Sequence, residues 1–175
     1  MVFFSFTGNN RLLAKEIQTL SGCDIYEIEE LTKRSGIRIL FDILFRRNPG
    51  IKRTIIQLSQ YDHIILSAPI WAGRIANPLK TFLNLEKNNI REYSFITLCG
   101  AGGNKHLVEE LTKLCGKKPV ALMELTVNSL LPAEKRDKIK YTSGYKIQLQ
   151  DLASYRRSIA RFLQMAIKKS ALSEY

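Results

Sequence analysis

Histidine, tryptophan, cysteine and acidic side chains are all scarce in this chain of 175 residues, and each shortage closes off a class of chemistry. There are two histidines, His63 and His106, and no arrangement of them with serine, cysteine or carboxylates resembles a nucleophilic triad, a Cys/His pair or a paired-carboxylate site. The three cysteines, Cys23, Cys99 and Cys115, are odd in number and far apart, and no C-x-x-C occurs. That excludes a disulfide framework, a zinc site of common spacing and an iron–sulfur cluster. They read as reduced core residues of a cytoplasmic protein. No apolar run approaches the roughly 20 residues that cross a bilayer. No secretory signal precedes the first strand, and no repeat or low-complexity tract is present. The length suggests a single domain, 1–175, and a hydrophobic content of 45% is ample for its core.

Acids are the most telling shortage. Aspartate and glutamate number 16 against 27 lysines and arginines, for a net charge of +11 and a pI of about 9.7. The excess is local. It sits in residues 33–53 (seven basic, one acidic), 134–146 (five basic, two acidic) and 156–169 (five basic, none acidic). Nucleic acid would need stacking aromatics or a reading helix beside such charge, and neither is there, so nucleic acid is set aside as a partner. In segment 35–47, Ile37, Leu40, Phe41, Leu44 and Phe45 fall at helical spacing, with Arg38, Asp42 and Arg46 opposite and Asn48-Pro49-Gly50 as a stop. Ile39 and Ile43 widen the apolar face, which favours a helix docked on the protein over one lying on a membrane.

What the chain does have is alternation of strand and helix. Strands are expected near 2–6, 23–28, 62–68, 93–99 and 119–127, the first kept short by the nearness of Met1. Helices are expected near 10–21, 75–84, 104–116 and 148–168, the last with Leu152, Tyr155, Ile159, Leu163 and Ala166 on one face. Residues 128–147 have weak periodicity and read as a surface loop. Alternating elements imply right-handed βαβ units and a parallel sheet. Ligands then bind at the carboxyl ends of the strands.

Three loops stand at those ends. Ser5-Phe6-Thr7-Gly8-Asn9-Asn10 joins the first strand to the first helix, so its N–H groups and hydroxyls suit an anion such as phosphate. Ala68-Pro69-Ile70-Trp71-Ala72-Gly73 carries the sole tryptophan. Cys99-Gly100-Ala101-Gly102-Gly103 is nearly all backbone. One loop fits a phosphate and one offers a large aromatic face, so together they describe a site for a phosphorylated, planar cofactor.

The chain resembles the flavodoxins. Ser5, Thr7 and Gly8 match the family's [Ser/Thr]-x-Thr-Gly-x-[Thr/Ser] phosphate loop. Pro69, Trp71 and Gly73 match its second flavin loop, and Asn77-Pro78-Leu79-Lys80-Thr81-Phe82-Leu83 resembles the helix that follows. The resemblance implies a doubly wound α/β fold with a five-stranded parallel sheet of order 2-1-3-4-5 and helices on both faces. It also implies non-covalent FMN bound by the three loops, with Trp71 stacked on the ring.

There are departures. Asn10 stands where the family has a hydroxyl, with Arg11 beside it as a substitute phosphate contact. The third loop lacks the tyrosine that many members stack on the ring. The surface is basic where electron-shuttling members are acidic. The expectation is therefore an electron carrier for a redox partner protein with an acidic docking surface. A flavin-dependent reductase acting on NAD(P)H or a quinone, and an apo scaffold without redox activity, remain as alternatives. No acid falls among residues 5–11, 68–74 or 99–106, so the second reduction of the flavin is expected at a higher potential than in acidic relatives. His63 reads as structural, and His106 as a candidate for contact with the cofactor.

Overall fold

The computed structural model describes residues 1–32, 47–53, 55–102 and 105–170. The helix expected over 35–47 lies almost wholly outside the described residues. The chain alternates as expected. Strand β1 (Val2–Phe3) is followed by helix α1 (Asn9–Ser21), β2 (Tyr26–Glu27), β3 (His63–Ser67), a hairpin of β4 (Ile70–Trp71) and β5 (Arg74–Ile75), and α2 (Asn77–Glu86). Then come β6 (Glu92–Cys99), α3 (Leu107–Cys115), β7 (Leu122–Thr126), α4 (Ile139–Thr142), α5 (Leu149–Ala153) and α6 (Arg156–Ser170).

Five strands form one parallel sheet in the order β2-β1-β3-β6-β7. Counting only those strands along the chain, this is the expected 2-1-3-4-5. β1 is an interior strand, and Val2 pairs with Tyr26 on one side and Leu66 on the other.

Strand period two sorts the side chains onto two faces. Phe3, Ile65, Ile96 and Leu98 point to one face, under Leu13, Ala14 and Ile17 of α1 and Ile159, Phe162 and Leu163 of α6. Val2, Phe4, Ile64, Leu66, Tyr93 and Phe95 point to the other, under Leu79, Phe82 and Leu83 of α2 and Leu107 and Leu111 of α3. Both faces are thus covered, which explains why these strands read as continuous apolar runs. Each fully buried side chain of this size contributes about 1.5–3 kcal/mol.

Three elements differ most from expectation. The strands expected at 2–6 and 23–28 are shorter, since β1 and β2 pair over only two residues each. The helix expected over 148–168 is interrupted at Ser154 and Tyr155. There the Tyr155 hydroxyl reaches the Thr126 carbonyl and lies 2.7 Å from Ser129 Oγ. The face itself is as expected, with Leu152, Tyr155, Ile159, Leu163 and Ala166 all buried.

Residues 128–147 are not a free surface loop. They form 3-10 turns at Val127–Leu130 and Ala133–Lys135, then α4. Leu131 and Ile147 are buried in the core at either end. Asn128 and Asp137 tie the segment to itself, Asn128 Nδ2 donating to Asp137 Oδ1 at 2.7 Å and Asp137 N to Asn128 Oδ1 at 2.8 Å. This strap returns to the sheet's carboxyl end. His63 stands at the opposite end of β3 with Nε2 3.0 Å from Ser94 Oγ, a structural placement.

Candidate functional site

The loop after β1 enters α1 through Gly8, whose φ of +95° is open to glycine and costly for other residues. A Cβ there would meet nothing within 4 Å, so the backbone turn rather than close approach requires glycine. No side chain caps the helix, and its first turn holds no acid. Leu12 N–H bonds back to the Gly8 carbonyl at 3.0 Å. The earlier N–H groups have no intrahelical acceptor and carry the positive end of the helix dipole. Beside them Ser5 Oγ is buried without a hydrogen-bond partner. Thr7 is half-buried and Phe6 exposed.

Three neighbouring side chains do something other than expected. Asn10 is buried, and its carboxamide behaves as a stand-in peptide unit. Oδ1 accepts from Leu98 N at 2.9 Å and Ser67 Oγ at 3.0 Å, while Nδ2 donates to the Leu98 carbonyl at 3.2 Å. β3 and β6 pair only as far as Leu66 and Phe95, so Leu98 has backbone groups left to satisfy. A hydroxyl in place of Asn10 would reach fewer of them. Asn9 likewise turns inward, donating to the Tyr145 carbonyl at 2.8 Å and accepting from Ile147 N at 3.1 Å. Arg11 is not a substitute phosphate contact. It forks onto Glu27 of β2 at 2.7 and 2.6 Å, and that carboxylate pushes its pKa up.

The second loop begins as β3 ends. Thr97 Oγ1 donates to the Ala68 carbonyl at 2.6 Å, and Ala76 N to the Pro69 carbonyl at 3.0 Å. Between them Ile70 and Trp71 pair with Ile75 and Arg74 in a hairpin. Its turn has φ +46° at Ala72 and +72° at Gly73, the two positive values of a type I′ turn. The hairpin was not read from the sequence, because Ala-Gly is an uncommon pair there. Glu110 of α3 holds it by accepting from Ile75 N at 3.0 Å while pairing with Lys80 at 2.7 Å. The half-buried Trp71 ring meets Phe4 at 5.9 Å and Phe6 at 6.0 Å, both edge-on, at 88° and 90°. Two such contacts fix its plane, each worth about 0.5–1.5 kcal/mol.

The third loop starts at Cys99, whose buried thiol is 3.7 Å from the Leu125 carbonyl and 3.9 Å from Glu124 Oε2. Burial first, then the Glu124 charge, pushes its pKa up to about 12, so it is an inert thiol at neutral pH. The Gly100 carbonyl accepts from Asn128 N at 2.9 Å, and a Cβ on Gly100 would lie 3.3 Å from Thr142 Oγ1. Gly102 has φ +75°, and a Cβ there would come to 2.5 Å from Thr126 Cγ2. Ala101 is exposed, and Gly103 lies outside the described residues. His106 sits 3.2 Å from Glu109 in an exposed pair.

Sequence reasoning missed Asn128, Thr142 and Glu124 as neighbours of this loop. Glu124 bears on the redox expectation, since β7 brings its carboxylate to 3.5 Å from where a Cβ on Gly102 would stand. The three loops thus share one end of the sheet, with the strap tied to the first through Asn9 and to the third through Gly100. Among the described residues no group of side chains could hold a metal ion.

No family model and no curated protein matches the sequence. Solved structures do. A flavoprotein from Lactobacillus acidophilus NCFM in complex with FMN matches at 22% identity and a TM-score of 0.62, covering 70% of this chain and 89% of its own. The apo-form of the flavoprotein from the same organism matches at 18% identity and 0.57, covering 73% and 93%. The flavodoxin, WrbA-like protein from Agrobacterium tumefaciens matches at 15% identity and 0.53, covering 95% of both chains. At these identities the likeness establishes the fold, which is flavodoxin-like.

Proposed function

We propose that this chain, as a single flavodoxin-like domain, binds FMN without a covalent link and passes electrons to a partner protein. The observation that carries the reading is the buried, unpartnered Ser5 Oγ beside the uncapped start of α1. A buried hydroxyl without a partner costs about 1–3 kcal/mol, which a phosphate oxygen accepting its proton would offset. The α1 N–H groups and the Thr7 hydroxyl supply further donors to the same anion. The likeness to a flavoprotein holding FMN supports the choice of anion.

Trp71 offers a flat face at the second loop, its tilt set by Phe4 and Phe6. The described part of the third loop, Cys99 to Gly102, would supply backbone donors to the ring edge and no side-chain acid or base. Bound flavin would supply the electron chemistry; this chain's part is to bind it, orient it and set the charge around it. That charge is less positive than the loop sequences suggest. Arg11 is neutralised by Glu27, and Glu124 stands behind the third loop. Both lower the second reduction potential relative to the sequence-based expectation. In this reading the protein works in the cytoplasm.

Adding FMN to flavin-free protein tests the reading. Saturable binding is expected, and Thr7→Ala should weaken it by about 1.5–3 kcal/mol, the worth of a hydrogen bond to a charged oxygen. Absence of saturation, or an unchanged affinity in the variant, contradicts it. The reductase alternative rests on the third loop having no aromatic to cover the ring. Rapid bleaching by NAD(P)H without a partner would select it.

A further inference from the structure

The strap over residues 128–147 is more than a closure of the fold, and we infer that its outer surface is the docking site for an acidic redox protein. This rests on the flavin reading above. The strap is the one described segment tied to both the first and third loops, through Asn9 with Tyr145 and Ile147, and through Gly100 with Asn128 and Thr142. Its exposed side chains therefore form part of the cofactor rim. A protein seated on them would come close to the site without entering it.

The chemistry of that surface is cationic with an apolar centre. Lys135 and Lys140 place their ammonium groups 5.8 and 5.7 Å from the Tyr141 ring centroid. Neither lysine forms an ion pair among the described residues. Three of the other charges of the segment are engaged within it, while Glu134 and Lys146 leave the segment net positive. Lys138 donates to the Glu134 carbonyl, Arg136 to the Leu131 carbonyl, and Asp137 holds Asn128. Between the lysines Ile139 is 80% exposed and supplies an apolar contact within the cationic patch.

Two like charges over one exposed ring repel each other, and an opposing carboxylate surface relieves that repulsion. Such a small charged patch suits a short-lived complex, as electron transfer requires. A nucleotide phosphate would need donors converging from a concave wall, whereas these lie on an open segment. A membrane would need a longer apolar face than the four residues of α4 present.

The test uses the isotopically labelled protein as purified, titrated with the acidic haem domain of cytochrome b5 and followed by amide chemical shifts. Shifts are expected on residues 133–149, with affinity falling as salt rises. Lys135→Glu with Lys140→Glu should weaken binding about tenfold, and Ile139→Ser severalfold, with the Tyr145 and Ile147 amides reporting an intact fold. Basic cytochrome c should not reproduce the shifts. Adding FMN to the same sample and recording its visible spectrum tests the flavin reading separately, so failure to bind FMN overturns that reading and leaves the docking result legible. Shifts on Arg156, Arg157 and Arg161 of α6 instead, or equal affinity in the double variant, overturn the docking site. So does binding of adenosine 2′,5′-bisphosphate or phosphatidylserine vesicles in place of the haem protein.

Discussion

The first loop of the site grips its neighbours, through the inward-turned carboxamides of Asn9 and Asn10, whereas the third loop is reached into, by Thr126 and Thr142 occupying space that its glycines leave open. Both loops must hold backbone donors still at the end of a sheet. The first does so with side chains that mimic peptide groups, and the third by having almost no side chains. Fastening by polar contacts fails when a partner is left unpaired. Fastening by close approach fails when volume is added. The two loops should therefore respond to different substitutions.

Asn10→Ala should have the largest effect. It strands the Leu98 N–H and carbonyl and the Ser67 hydroxyl in a buried site, at a cost of about 4 kcal/mol. Asn9→Ala breaks two contacts nearer the surface and should cost about 2 kcal/mol. Urea denaturation of both variants measures the difference. Equal losses would mean that Asn10 is not the stand-in peptide group described above.

Those two asparagines also show where a sequence is readable and where it is not. An asparagine at the start of a helix reads locally as a cap or a ligand contact. Its true partners, Leu98 and Ser67, are far along the chain. The alternation of strands and helices and the buried face of the last helix were legible, because their patterns repeat over many residues, while the sheet order came from the resemblance. Arg11 misled because Glu27 is on another strand. The strap was opaque because α4 and its turns are too short to carry a period. The Ala72–Gly73 turn was hidden by an alanine in a conformation it seldom adopts. The placement of residues 5–10 between a strand and a helix could be read because it is set locally.

The glycines sharpen the comparison from the other side. Gly102→Ala combines a positive φ with a Cβ at 2.5 Å from Thr126 Cγ2, and should cost about 3 kcal/mol. Gly8→Ala meets only the positive φ, with open space around it, and should cost about 1 kcal/mol. Thermal or urea unfolding of the pair decides. Replacing Thr126 by serine in the Gly102→Ala background should recover part of the loss, and should do nothing for Gly8→Ala.

A smaller effect separates the loops by pH. The Cys99 thiol is held neutral in the fold up to about 12, against 9.0 for a free thiol. Between those values the unfolded chain binds fewer protons than the folded one, so stability falls as pH rises through that window. Cys99→Ala should flatten the fall in an unfolding series at alkaline pH. No such slope belongs to the first loop, which holds no titratable side chain from Ser5 to Asn10.

The most direct test of the account is a titration of flavin-free protein with FMN, read by tryptophan fluorescence. Trp71 is the sole tryptophan, so the signal has no background. The account predicts strong, saturable quenching in the wild-type protein, a weaker affinity in Thr7→Ala, and recovery of the emission when flavin is removed. Emission that stays constant while FMN binds would contradict the placement of the ring at Trp71. An absence of binding would contradict the flavin site itself.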